Sequence, residues 1–548
     1  MSSILKKWNE KIIYQIFPRS FYDSNNDGDG DLKGIIKKLD YLEELGINAI
    51  WLCPIYDTEF KDSGYDVLDY KKVWKNFGTL ADFKKLVVEA KKRNIEVIMD
   101  IVLNHTSTKH KWFLKAIESE KNPEHDLYIW TKEPKNEQSI FGGSAWEYIE
   151  CVDKYYFHLF SKEQADLNWN SKQTIRSMAD VINFWYKLGV RGFRLDAIQH
   201  VHKEFKNDHV IDSFGSKMVN YLQNFLNLVT KEKKDIFFIG EASGINPEKV
   251  LLYAKGKNKI ADNFFNFSNW YVGWSKQTGR NGYDKKWDLN ELINDQVLEY
   301  QNNDLIKNLM ITNFLSSHDT ARAISRWADT ENYWQEAAKA FAMFQFMQKG
   351  LISILYGEEI GMINTKFNLR TEFRDVDAFN AFEILVDKNK IYSEKEMIDY
   401  HNINSRDHSR VPMIWNNSIN YGFNKGNKTW IKLADRKVKN SVEDQLKDEN
   451  SILNFYKILI KHRNKYKNIL IYGKTNLQWN ETREYLILKR HNKQKTVIAL
   501  INLSNKEVNL NLNEQNRWKL LLSNYNQKGE NTNILRAYEA KMFIFKND

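Results

Sequence analysis

The 548-residue chain contains only 2 cysteines and 6 prolines, and none of its apolar runs approaches the length of a membrane span. Cys53 and Cys151 both stand in apolar or aromatic surroundings, and two cysteines make no disulfide framework. Residues 1–8 lack the apolar core of a secretion signal. The formal charge is +10, yet no basic block or nucleic-acid motif carries it; the lysines are scattered, often beside Glu or Asp. These absences argue against a disulfide-stapled scaffold, a helical membrane protein and a nucleic-acid binder. The expectation is a cytoplasmic monomer with neither membrane nor nucleic-acid partners.

What the chain does have is apolar substance, with 42% hydrophobic and 14% aromatic residues, at a length that suggests two or three domains. Strand-like apolar runs at 12–17, 49–53, 97–103, 192–196, 236–240, 264–267, 310–315 and 352–356 are each followed by an amphipathic helical segment. This alternation predicts an α/β fold, a (β/α)8 TIM barrel over 1–103 and 174–474, with its site at the carboxyl ends of the strands. The connection after the third run, 104–173, is too long for a βα loop. Polar and aromatic, it predicts a small inserted domain over the barrel mouth. From about Thr475 short alternating runs replace the helical period, predicting a C-terminal antiparallel β-sandwich domain over 475–548.

The chain is organised around Gly192-Phe193-Arg194-Leu195-Asp196-Ala197. On a strand Arg194 and Asp196 share one face, where a buried charge pair is costly. One reading is a structural ion pair between strand and helix. The other is a carboxylate nucleophile kept ionised by Arg194 at the end of a barrel strand. Other strand ends favour the second reading: Asp100 to His105, Gly240-Glu241, and Ser316-Ser317-His318-Asp319 would bring further carboxylates and two histidines to the same pocket.

Taken in order, these segments resemble the motif regions of the α-amylase superfamily of retaining glycoside hydrolases, over essentially the whole chain. Gly240-Glu241-Ala242, Ser317-His318-Asp319 and the later Ser405-Arg406-Asp407-His408-Ser409-Arg410 resemble its exo-acting α-glucosidase branch, which includes oligo-1,6-glucosidases, dextran glucosidases, maltases and phosphotrehalases. The resemblance implies a small oligosaccharide substrate and no organic cofactor. It makes Asp196 the nucleophile and Glu241 the acid/base, with carboxyls roughly 5–5.5 Å apart. Asp319 becomes the third carboxylate, which holds the sugar hydroxyls. His105 and His318 become hydroxyl donors to the same glucose, and Tyr65 stacks on it. Asp62 would pair with Arg406 and close the pocket beyond the non-reducing end. A phosphotrehalase-like hydrolase of trehalose 6-phosphate is the nearest alternative; a glucosyltransferase, a sucrose isomerase or a non-catalytic relative stands further off.

A second constellation, Asp23-Ser24-Asn25-Asn26-Asp27-Gly28-Asp29-Gly30-Asp31, sets oxygen side chains on alternate positions with glycine at the bends. Such a loop either wraps a hard cation or is a solvated acidic turn. It resembles the calcium loop of oligo-1,6-glucosidases. That likeness implies Asp23, Asn25, Asp27 and Asp31 as side-chain ligands, Asp29 as a carbonyl donor, and a structural calcium, with magnesium the alternative.

Three positions depart from the family pattern. Ser316-Ser317 stand where the family usually has Asn before the histidine. Ala165 in Gln164-Ala165-Asp166-Leu167-Asn168-Trp169, with Phe141-Gly142-Gly143 before it, looks more like phosphotrehalases. Ala197 replaces the Val of 1,6-specific members; packed under a neighbouring loop, it would leave room for both α-1,4 and α-1,6 linkages. The segment 269–287, with Lys276, Arg280, Lys285 and Lys286, is expected to edge the aglycone side, as a solvated rim or a phosphate-reading patch.

Overall fold

The computed structural model describes residues 3–206, 209–269, 293, 298–510, 518–525 and 533–547. Eight strands carry the fold: β1 (Ile12–Ile16), β2 (Ala49–Leu52), β3 (Glu96–Val102), β4 (Gly192–Asp196), β5 (Phe237–Gly240), β6 (Asn263–Phe264), β7 (Thr312–Phe314) and β8 (Leu351–Leu355). They hydrogen-bond in the order β6-β5-β4-β3-β2-β1-β8-β7, all parallel where paired. A parallel bridge between Phe265 and Thr312 joins the two ends and closes the barrel. The sixth run is shorter than expected, because Phe267 already begins the 3₁₀ turn Phe267–Asn269.

The period-two alternation of these strands sorts the barrel interior into layers. Toward the amino-terminal mouth Ile13, Ala49, Ile98, Phe237, Ile239 and Leu351 pack together, and Trp8 stacks on Phe237 with ring centroids 4.8 Å apart. Two residues further along each strand, on the same face, come Gln15, Trp51, Asp100, Arg194 and Glu241. A one-residue slip of any strand would put its polar side chain among the outer helices. Gly192 is required at the base of β4, since a Cβ there would meet Trp8 and Ile98, each at 2.7 Å. Gly240 likewise leaves space for the Phe264 ring, which a Cβ would approach to 2.6 Å. The helix before β4, Lys172–Lys187, buries Ile175, Met178, Ile182 and Trp185 at three- and four-residue spacing and packs as an outer helix.

Between β3 and that helix the chain forms a three-stranded antiparallel sheet (Trp130–Thr131, Lys154–Phe157, Trp146–Ile149) and a ribbon pairing His105–Ser107 with Gln164–Asp166. Toward the C-terminus, Lys474–Trp479, Leu486–His491, Lys495–Ile501, Ala540–Lys546 and Lys519–Ser523 lie in that order in one antiparallel sheet. A smaller pair, Val508–Asn509 with Ile534–Leu535, covers Ile487, Ile498 and Leu500 of that sheet. Among the described residues no helix is long and apolar enough to cross a membrane. The stretch 269–287, with its four basic residues, lies outside the described residues but for the backbone of Asn269.

Candidate active site

Arg194 is the hub of the carboxyl-terminal mouth. Projecting inward from β4 and 2% exposed, it donates through Nη1 to Asp100 Oδ1 (2.7 Å) and to Asp196, and lies with Nη2 2.7 Å from Glu241 Oε2. Its guanidinium sits 5.2 Å from the centre of the Trp51 ring. One cation is therefore shared among three carboxyl groups, of which Asp100 and Asp196 are buried and Glu241 is partly buried. Burial raises Asp196 well above the ordinary carboxylate range; Arg194 opposes this, while the Glu241 and Asp100 charges add to it.

This changes one expectation: Arg194 does not serve Asp196 alone, because Asp100 and Glu241 share it.

Around this pair the other candidate residues converge. Tyr65 donates to Asp100 Oδ2 at 2.9 Å, and its ring stacks on His318 with centroids 5.5 Å apart, at a 13° angle. Burial would lower His318, but Asp319 raises it to about 10, which favours the imidazolium. Its Nδ1 meets the carboxamide of Gln15 at 2.6 Å. Asp319 lies 3.0 Å from His318 Nε2 and accepts from Arg406 Nη1 and Arg410 Nη2, both at 3.1 Å. Burial would raise Asp319, yet these three cations hold it well below the usual range.

Arg406 also donates through Nη2 to Asp62 at 3.3 Å, joining residues 344 positions apart. Asp62 in turn accepts from Gln164 Nε2 at 3.1 Å, and that amide lies 2.9 Å from His105 Nε2. Burial lowers His105 to about 4, so it is neutral. Ser316 and Ser317 are engaged in the turn itself, accepting from the backbone N–H of Ala323 (2.9 Å) and Asp319 (3.2 Å). Arg194, Glu241, Trp51, Phe265, Phe267 and Phe314 line a narrow cavity at this mouth.

Ala197 stands directly after β4. Its backbone is left-handed, at φ 45° and ψ 39°, and its N–H donates to Glu241 Oε2 at 2.9 Å. The chain therefore turns sharply at the residue after Asp196, and Ala197 helps to place Glu241.

Several contributors escaped the sequence reading. Gln15 and Gln164 orient the two histidines. Asp375 grips Arg406. A fully buried pair, Lys203 with Asp166, ties the inserted ribbon to the loop after β4, and Lys203 also donates to Asn104 Oδ1. Gln15 is a lone polar residue in an apolar run, and the others stand among further polar residues that nothing local sets apart.

In the acidic loop Asp23 accepts from the N–H groups of Asn25, Asn26 and Gly28 and from Asn424 Nδ2. Asp31 caps the helix Leu32–Lys37 and accepts from Ser24, while Asp29 pairs with Arg19. Asn25 donates to Asp27 at 3.0 Å. The donor set, all oxygen, suits a hard cation in its chemistry. Among the described residues, however, no group of three or more His, Cys, Asp or Glu side chains is gathered as around a metal.

Known proteins share this arrangement of chain. Residues 15–473 match the family described as "Alpha amylase, catalytic domain". The oligo-1,6-glucosidase of Heyndrickxia coagulans is 36% identical, covering 98% of this chain and 99% of its own. The glucan 1,6-alpha-glucosidase of Streptococcus pneumoniae serotype 4 is also 36% identical, covering 92% and 93%. Among solved structures, a trehalose-6-phosphate hydrolase of Bacillus licheniformis superposes with a TM-score of 0.91 at 32% identity, covering 98% of this chain and 100% of its own.

Proposed function

The chain belongs to the α-amylase family of glycoside hydrolases, and from that premise we propose that it is a retaining exo-α-glucosidase of short α-1,6- and α-1,4-linked oligosaccharides. The observation that carries the reading is the single guanidinium of Arg194 binding both Asp196 and Glu241. Held on one cation at the strand ends, one carboxyl can attack the anomeric carbon while the other protonates the leaving oxygen. In this reading Asp196 is the nucleophile and Glu241 the acid/base, the two halves of a double displacement. Asp319, ionised beside His318 and two arginines, would hold the glucosyl hydroxyls. Asp62 and Arg406, bonded across the pocket, would bar chain extension past the non-reducing end, so that glucose is released one unit at a time. The insertion 104–173 would act as a domain roofing the pocket, set on a barrel of 1–103 and 174–474, with 475–548 as a C-terminal domain.

Glucose release from maltose, isomaltose, sucrose and trehalose 6-phosphate tests this. Release from maltose and isomaltose is expected. Release from trehalose 6-phosphate alone would instead favour the second reading, a phosphotrehalase, which the likeness to the Bacillus licheniformis enzyme supports. Products rearranged rather than hydrolysed would point to an isomerase or transferase.

We further propose that residues 23–31 take a structural calcium, with magnesium the alternative, through Asp23, Asn25, Asp27, Asp31 and the carbonyl of Asp29. Support comes from the all-oxygen donor set; the ion would add stability and no catalytic step. Two unpaired cysteines, Cys53 and Cys151, accord with a reducing cytoplasm. We further propose that the protein is a monomer, which size-exclusion chromatography would test.

A further inference from the structure

We propose that Asp375 is a positioning residue for exo-specificity: it aims Arg406, and so sets the demand for a free non-reducing end. The inference rests on the exo-acting reading above. Arg406 is buried among three carboxylates, and they do not hold it equally. Asp375 takes it by two parallel bonds, from Nε at 2.7 Å and from Nη2 at 2.5 Å. Asp319 and Asp62 each accept a single, longer bond, at 3.1 and 3.3 Å. A two-point grip on a planar guanidinium fixes its plane, which a single bond does not. Of the charges that favour Arg406 against the cost of burial, Asp375 is the largest.

Asp375 is itself held by rigid parts. It is 2% exposed, and its backbone N–H donates to Asp407, the residue after Arg406. Its carboxylate caps the helix Val376–Ala381 through the N–H of Asp377 and lies 3.5 Å from Arg410. Asp319, Arg406, Asp375, His401, Asn404 and Ser405 line a narrow cleft beside it. The guanidinium is carried on a long, flexible stem, so its aim depends on what grips it. The grip of Asp375 keeps it across the pocket, where it meets the terminal glucose and blocks a further unit.

The test compares wild type, Asp375→Asn and Asp375→Glu on a p-nitrophenyl maltooligosaccharide with a free non-reducing end, and on the same glycoside capped there by a 4,6-O-ethylidene group. The readout is the ratio of kcat/KM for the free to the capped substrate, with the thermal midpoint measured alongside. Wild type should favour the free end strongly. In Asp375→Asn the ratio should fall by about tenfold or more, because a misaimed contact costs up to about 10²-fold. The KM for the free substrate should rise more than kcat falls. Asp375→Glu, which keeps the carboxylate one methylene away, should recover part of the ratio. In an Arg406→Lys background Asp375→Asn should change it less than about twofold, since coupled residues are not additive.

A wild-type ratio in Asp375→Asn, whatever its thermal midpoint, would overturn the proposal and leave the exo reading standing. Should Asp375→Asn fail to fold, an unchanged ratio in Asp375→Glu overturns it equally. Wild type cleaving both substrates alike would sink the exo reading, and this proposal with it.

Discussion

Arg194 and Glu241 meet at 2.7 Å through Nη2, on the guanidinium whose Nη1 binds Asp196. The two carboxyl groups thus share one positive charge, so a change at either one alters the electrostatic surroundings of the other.

Asp196→Asn should therefore abolish turnover with the fold intact, measured as kcat on maltose beside an unchanged circular dichroism spectrum. Glu241→Gln should lose about 10²–10⁴-fold on maltose, the usual worth of general acid catalysis. It should lose far less on p-nitrophenyl glucoside, whose leaving group needs no proton. Near wild-type maltose rates in either variant would contradict the assigned roles.

Arg194 itself should matter to stability as well as rate. Its loss strands Asp100, Asp196 and Glu241 in a buried site, and breaking a buried ion pair costs about 3–5 kcal/mol. Arg194→Met should lower the urea midpoint accordingly, with most of the loss recovered on also changing Asp100→Asn. Failure of the second substitution to restore anything would show that the carboxyls are not the source.

His318 offers a test by pH. Its folded value of about 10 lies above the ordinary 6.5. The stability it contributes is therefore fully present below about 6.5 and is lost as pH rises through about 10. The wild-type urea midpoint should fall across this window more steeply than that of His318→Gln. Other groups titrate there too, including Glu358 at about 8, so the difference between the two curves is the measurement. Parallel curves would mean that His318 is not an imidazolium in the folded protein.

Much of this geometry was legible from single strands. Apolar residues at period two, ending in Asp100, Arg194 with Asp196, and Glu241, place those groups at one barrel mouth without any knowledge of packing. The residues that were missed act across the chain. Asp375 is 31 positions from Arg406, and Gln164 is 102 from Asp62. Gln15 is 303 positions from His318. Such pairings follow from barrel closure and the inserted ribbon, and no local pattern announces them. The left-handed turn at Ala197 was missed for a different reason: alanine is not a residue that signals a positive φ.

For the acidic loop the expected effect is on stability alone. Chelation should lower the thermal midpoint, since an ion bound only by the folded state at about 100 times its Kd adds about 2.7 kcal/mol. The rate should hardly change at temperatures where the chelated protein is folded, and Asp23→Asn should remove the response to chelator. A strict metal requirement for turnover at low temperature would contradict a purely structural ion.

Ala197 provides the last test, in which two effects of one substitution can be separated. Valine there would narrow the approach of the second sugar, and a methyl or two in such a pocket is worth about 1–3 kcal/mol of discrimination. The same valine must adopt φ near 45°, where a β-branched side chain crowds its own backbone. That strain costs about 1–2 kcal/mol and would pull the Ala197 N–H away from Glu241. Ala197→Val should therefore lower the thermal midpoint and reduce kcat on maltose and isomaltose alike. The ratio of their specificity constants should move toward isomaltose by about tenfold or less. Ala197→Gly separates the two effects: it accepts the left-handed backbone, and the relief is offset by greater freedom in the unfolded chain. It should leave the midpoint within about 0.5 kcal/mol of wild type and keep activity on both disaccharides. A valine variant as stable as wild type would show that the backbone relaxes at this turn, and the linkage effect could then be read alone.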